Sequence, residues 1–250
     1  MAGHSQFKNI MHRKGAQDAK RAKMFTKVLR EIFVAAKVNP DADFNPRLRL
    51  AINAAKAVNL PKDKVLNAIS KAASNSQESD NFEEVRYEGY GAAGVAIIVE
   101  ALTDNRNRTA SEVRSSFTKF GGNLGESGSV SFMFKRMGMV YYPLASISFD
   151  KMFEATIEAG ANDCQEVDGF YEISFEPEDL HKGKDYLEDK YGPPESASLI
   201  WKPNSLQKIS LEDGEKLLKM LDALEDCDDV QSVTGNFELP DELLSKISQQ

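Results

Sequence analysis

Hydrophobic positions recur every three or four residues through the first part of this chain and give way, beyond about residue 80, to short apolar runs separated by helix-period segments. From Asp18 to Lys37 the set Phe25, Val28, Leu29, Ile32, Phe33 and Ala36 holds to one side of a helix at about 100° per residue. Lys20, Lys23, Lys27, Arg30 and Lys37 form a stripe roughly opposite, and Arg21 projects toward the apolar side. Asn45-Pro46 reads as a helix cap followed by proline at the first helical position, with Leu48, Ala51, Ile52 and Ala55 as the buried line. Pro61 opens a third helix carrying Val65, Leu66, Ile69 and Ala72. Three short helices make a small bundle, which the polar stretch Ser74–Asp80 ends.

The remainder is read as mixed structure. Strands are predicted at Val85–Tyr90, Val95–Leu102 and Val130–Phe134, with a helix over Ala110–Phe120 opened by a Thr109/Glu112 capping box. A six-element series follows: strand Met139–Tyr142, helix Phe149–Ala159, strands Gln165–Val167 and Tyr171–Phe175, helix Pro177–Tyr191, strand Ala197–Trp201. That is the β-α-β-β-α-β order of a ferredoxin-like unit. A helix at Leu211–Leu224 and a strand near Val230–Thr234 remain; too little for a domain alone, they complete a layer with the strands before residue 135. The expected architecture is multidomain α+β: a basic arm and helical bundle over 1–80, a discontinuous α+β domain over 81–135 plus 204–250, and a ferredoxin-like domain inserted over 136–203.

Charge sharpens this division. The 250 residues carry a net charge of −8, yet up to Lys71 there are fifteen bases against five acids, leaving 16 bases and 34 acids beyond. The arm itself supplies Lys8, Arg13 and Lys14, with His4 and His12 suited to backbone or phosphate contact and Phe7 able to stack on a base. A basic end on an acidic protein selects polyanions as partners and sets the approach of a nucleic acid before any contact forms. The expected grip therefore consists of His4, Phe7, Lys8, His12, Arg13, Lys14, Lys20, Lys23, Lys27 and Arg30, joined by Arg106 and Arg108 in the segment between the second strand and the next helix. Guanidinium forks at a helix amino end suit phosphate; the alternative is that one of these arginines pairs with Asp104.

Other motifs carry less. Gly121-Gly122-Asn123-Leu124-Gly125 follows a helix and precedes a strand, the reverse of a phosphate loop, and reads as a cap and turn. Gly125-Glu126-Ser127-Gly128-Ser129 lacks the last glycine of a nucleophile elbow. His181 has no evident base role. Cys164 and Cys227, the only cysteines, are far apart with no histidine at ligand spacing, so neither a structural zinc nor a cofactor is expected and a reducing compartment is. The run Glu225-Asp226-Cys227-Asp228-Asp229 falls at a helix carboxyl end, where acids oppose the macrodipole; cation binding there is weighed against a solvated helix end or a protein contact. No apolar run is long enough for a membrane span, and no signal peptide follows the basic start.

Several of these stretches together resemble the YebC/PmpR family. They are Ala2-Gly3-His4-Ser5, His12-Arg13-Lys14, Asp18-Ala19-Lys20-Arg21 running to Phe25-Thr26-Lys27, Asn45-Pro46-Arg47-Leu48-Arg49, Tyr87-Glu88-Gly89-Tyr90-Gly91, Asp104-Asn105-Arg106-Asn107-Arg108-Thr109, Gly121-Gly122-Asn123-Leu124 and Gly128-Ser129-Val130. The resemblance implies three domains with a ferredoxin-like insertion, and a cytoplasmic, non-enzymatic protein described in bacteria as a DNA-binding transcriptional regulator. Relatives such as the mitochondrial translational activator of cytochrome oxidase are tied instead to the ribosome, which implies as the alternative a ribosome-associated translation factor binding ribosomal RNA. Gln6-Phe7 and Met11 stand where the family has Lys-Trp and often Lys, so this arm has two fewer charges and no indole. Duplex DNA is thus the first expected partner, ribosomal RNA the second, with the acidic domains available to the ribosome, to other proteins or to self-association. An enzyme acting on nucleotides is the third and least supported reading, since no convergent titratable groups are found.

Overall fold

The computed structural model describes residues 17–74 and 82–249. Helices α1 (Gln17–Val38), α2 (Pro46–Ala57) and α3 (Lys62–Ala73) form the bundle. Its centre is Ile32, Ala35 and Ala36 of α1 against Leu48 and Ala51 of α2 and Val65 of α3, with Phe25, Val28, Leu29 and Phe33 packed at the margin. The apolar faces read from spacing are thus the packed ones, except that Leu66 of α3 is exposed, one position past Val65 and turned off the line that Val65, Ile69 and Ala72 bury. Asn45 caps α2 by accepting from the Leu48 N–H at 3.0 Å, and its own amide reaches the Ala35 and Asn39 carbonyls at 2.7 and 2.6 Å. One buried side chain therefore ends α1 and starts α2.

Strands β1 (Glu83–Tyr90), β2 (Ala96–Thr103), β3 (Asn123–Leu124) and, from much later in the chain, β9 (Val230–Gly235) make an antiparallel sheet in the order β3-β1-β2-β9. Helices α4 (Arg106–Lys119) and α7 (Leu211–Glu225) cover one face, burying Ile97 and Val99 of β2 beneath Val113, Phe117, Leu217 and Leu221. Two corrections arise here. Helix α4 begins at Arg106, four residues before the expected start, because Asn105 is the cap and accepts from the Arg108 N–H at 3.1 Å. Thr109 is a buried residue of the first turn rather than the cap. Second, Val130–Phe134 is not a separate strand: Ser131–Met133 forms a short 3-10 turn and Phe134 opens the next strand. The carboxylate of Glu88, 1% exposed, holds this turn by accepting from the Val130 and Ser131 N–H groups at 2.9 and 2.8 Å. The glycines after α4 act as the reading above expects, with Gly121 at φ +78° and the Gly122 N–H returning to the Phe117 carbonyl at 2.8 Å.

Between those sheet segments lie β4 (Phe134–Pro143), α5 (Phe149–Glu158), β5 (Asp163–Val167), β6 (Phe170–Phe175), α6 (Leu180–Tyr191) and β7 (Ser196–Pro203). The second sheet is antiparallel in the order β5-β6-β4-β7, the ferredoxin-like arrangement. Short strands β8 (Gln207–Lys208) and β10 (Phe237–Glu238) pair in parallel beside α8 (Asp241–Gln249). Trp201 of β7 joins the two sheets. Its indole lies between the guanidinium groups of Arg86 and Arg136, 5.0 and 5.1 Å from the ring centre, and donates to Glu100 at 3.1 Å. Glu100 also accepts from Arg136 and Ser232.

Helix α6 can sit close on its sheet because Gly183 faces the ring of Phe175; a Cβ there would lie 2.1 to 2.6 Å from ring carbons. Both groups are enclosed, so Gly183→Ala should cost about 1–3 kcal/mol from overpacking. A lowered urea midpoint at unchanged slope checks this.

Candidate nucleic-acid interface

Lys23, Lys27 and Arg30 project from one face of α1, as their spacing predicts, but that face is not open. It lies against the carboxyl end of α7 and the turn to β9. The Lys23 ammonium donates to Asp226 Oδ1 at 2.9 Å and to the Asp226 carbonyl at 3.1 Å. Lys27 donates to the Glu225 carbonyl at 2.8 Å. Arg30 donates to the Asp228 carbonyl at 2.6 Å and to Asp229 Oδ1 at 2.8 Å. The physical reason is plain. The last carbonyls of a helix have no intrahelical donors and carry partial negative charge, which the acids at 225–229 augment. The cations that answer them are Lys23, Lys27 and Arg30 of α1, together with Arg108 at Asp229. Burial holds the Lys27 ammonium below the usual lysine pKa, against the raising influence of Glu225 and Asp226.

Asp229 is the centre of this contact. It is 2% exposed, and its second oxygen accepts from Arg108 at 2.7 Å and from the Thr109 hydroxyl at 2.7 Å, with the Thr103 hydroxyl 3.2 Å away. Its carbonyl accepts from the Leu102 N–H at 2.8 Å. One carboxylate thus gathers α1, the end of β2, the first turn of α4 and the start of β9. Of the alternatives left open for the segment 104–108, the structure takes the pairing one for Arg108, which bonds Asp104 at 2.7 Å as well as Asp229. Arg106 lies apart, exposed and 3.6 Å from Glu83.

Of the expected grip, then, Lys23, Lys27, Arg30 and Arg108 converge on one acidic segment, and Arg106 does not join them. His4, Phe7, Lys8, His12, Arg13 and Lys14 lie outside the described residues; Lys20 lies within α1, its side chain outside the description. Asp226, Asp229, Thr103 and Thr109 are the participants that sequence reasoning missed, although the acidic run was visible in the sequence at an electrostatically unfavourable place. Among the described residues no three His, Cys, Asp or Glu side chains assemble to hold a metal ion, and no helix is long and apolar enough to cross a membrane.

Burial alone would raise the Asp229 pKa, but hydrogen bonds from Arg108 and Thr109 and the charges of Arg108 and Arg30 outweigh it and hold the carboxyl below its ordinary value. A depressed folded-state pKa contributes stability that is complete above the unfolded value, about 3.9, and is lost as pH falls through the folded one. Asp229→Ala should cost about 1–3 kcal/mol at neutral pH, because it removes the buried acceptor that Thr103, Thr109 and Arg108 share. Asp229→Asn should flatten the acid limb of a stability-against-pH curve measured by urea unfolding.

Comparisons with known proteins agree with this architecture. Residues 5–75 match the sequence model described as the TACO1/YebC protein N-terminal domain, and residues 82–237 match that of the TACO1/YebC second and third domain. Among solved structures, the chain is similar to a conserved hypothetical protein from Aquifex aeolicus, with 47% sequence identity and a TM-score of 0.82 over 91% of this chain and 94% of that one. Two matches that together span most of its length, with a third of like fold, place this chain in the TACO1/YebC family.

Proposed function

We propose that the protein is a non-enzymatic, cytoplasmic regulator of transcription that grips the phosphate backbone of DNA with its basic arm and α1. The observation that carries this reading is charge polarity: net +10 up to Lys71 against −18 beyond it. Such a division supports end-on approach by a polyanion and repulsion of the remainder. The family to which the chain belongs is one whose bacterial members are described as transcriptional regulators, which supports the same reading. The acidic domains serve protein partners or self-association.

Binding to ribosomal RNA is the second reading, favoured by one feature. The arm's charges, Lys8, Arg13 and Lys14, suit phosphate contacts, and no helix-turn-helix spacing for reading bases in a groove is evident in the sequence. Folded RNA is recognised by shape and backbone, and weak readout suffices there.

Binding to a duplex DNA and to ribosomes over a salt series separates the two. With about six phosphates engaged, log K should fall against log salt with a slope of about −5 on duplex. The variant carrying Lys20→Glu, Lys23→Glu and Lys27→Glu should lose on the order of 100-fold at low salt. Tighter binding to ribosomes, with duplex binding gone near physiological salt, assigns the protein to translation. A steep preference for one operator sequence would count against a backbone grip.

A further inference from the structure

The acidic segment meets α1 with the kind of atoms a phosphate backbone would present. Three cations at Lys23, Lys27 and Arg30 are received by five oxygens: the carbonyls of Glu225, Asp226 and Asp228 and the carboxylates of Asp226 and Asp229. The cations span seven residues of helix, about 10 Å. One strand of duplex DNA places about three phosphates along the same length of axis. The same ammonium and guanidinium groups cannot serve both partners.

We propose that residues 225–229 are an internal mimic of nucleic-acid backbone, which closes over the basic face of α1 and must be displaced before that face can bind a phosphate polymer. This rests on the nucleic-acid reading above and supplies its regulation. The contact is built to open. Lys23 and Asp226 are well exposed, with side chains 39% and 66% accessible, so water replaces their bond at small cost. Arg30 meets the one buried carboxylate, yet Asp229 keeps Arg108, Thr109 and Thr103 when Arg30 leaves. Opening therefore leaves no buried charge without a partner, which is the usual obstacle to parting an ion pair. A face that is closed most of the time lowers apparent affinity by the fraction of molecules open.

The test compares the full chain with two variants of equal charge change. Asp226→Lys sets a cation against Lys23; Glu212→Lys alters an exposed side chain at the far end of α7, 79% accessible. Each is titrated with a duplex DNA and, separately, with ribosomal RNA. Asp226→Lys should bind at least one of them about tenfold tighter than Glu212→Lys does. A second readout is carbodiimide cross-linking of the native protein, which condenses the Lys23 ammonium with the Asp226 carboxylate to an amide with loss of water. The Lys23–Asp226 cross-link, measured by mass spectrometry, should form in the free protein and disappear at saturating nucleic acid. Equal affinities for the two variants, or a cross-link that persists at saturation, overturns the mimic while leaving the nucleic-acid reading intact. Binding by Asp226→Lys where the native chain binds neither polymer supports the mimic. Failure of all three proteins to bind either polymer removes both.

Discussion

The buried carboxylate of Asp229 is the constraint on which the junction depends. A charge taken out of water is tolerated only when its partners replace the lost hydration, and this one has guanidinium groups on both oxygens and hydroxyls on one. The end of β2 and the first turn of α4 satisfy it through Thr103, Arg108 and Thr109, and the middle of α1 adds Arg30 from across the junction. None of these is near the others in sequence except β2 and α4. Arg30 is thus one tie between the helical bundle and the first sheet, and others run through Arg47, which bonds Glu31 of α1 and Glu84 of β1, and through Phe82, packed against Phe33 beneath Arg30.

A second junction adds an aromatic ring to charged groups. Trp201 is only partly buried, and its attachment to Arg86 and Arg136 is a stack of cations on an aromatic face, with Glu100 neutralising one of them. The two sheets are joined by the stack of Arg86 on Trp201 together with directional bonds from Trp201 and Arg136 to Glu100.

Most of the fold was legible because it follows from periodicity. The apolar faces of α1, α2 and α3, the Asn45-Pro46 cap and the ferredoxin-like strand order all leave a local trace in spacing. Boundaries failed where a residue had two plausible roles. Thr109 with Glu112 spells a capping box, but Asn105 supplied the cap and freed Thr109 for the buried carboxylate. The interface was only half legible. Periodicity placed Lys23, Lys27 and Arg30 on one face; it could not show what lay across from them, because their partners are about 200 positions away. The trace that did exist was an anomaly: acids crowded at the carboxyl end of α7, where they oppose the helix dipole. Such a cluster implies cations arriving from elsewhere in the chain.

That separation along the chain has a consequence in time. At about 5–20 residues per second, a ribosome takes roughly 10–40 seconds to progress from the codons of α1 to those of the acidic segment. Over that interval the basic helix has already been made and the segment that covers it has not. The growing chain thus passes through a stage in which α1 has no internal partner at 225–229, while it is tethered to a particle made largely of RNA. Completion of the last strand of the first sheet and covering of the basic face come together, long after α1 is made.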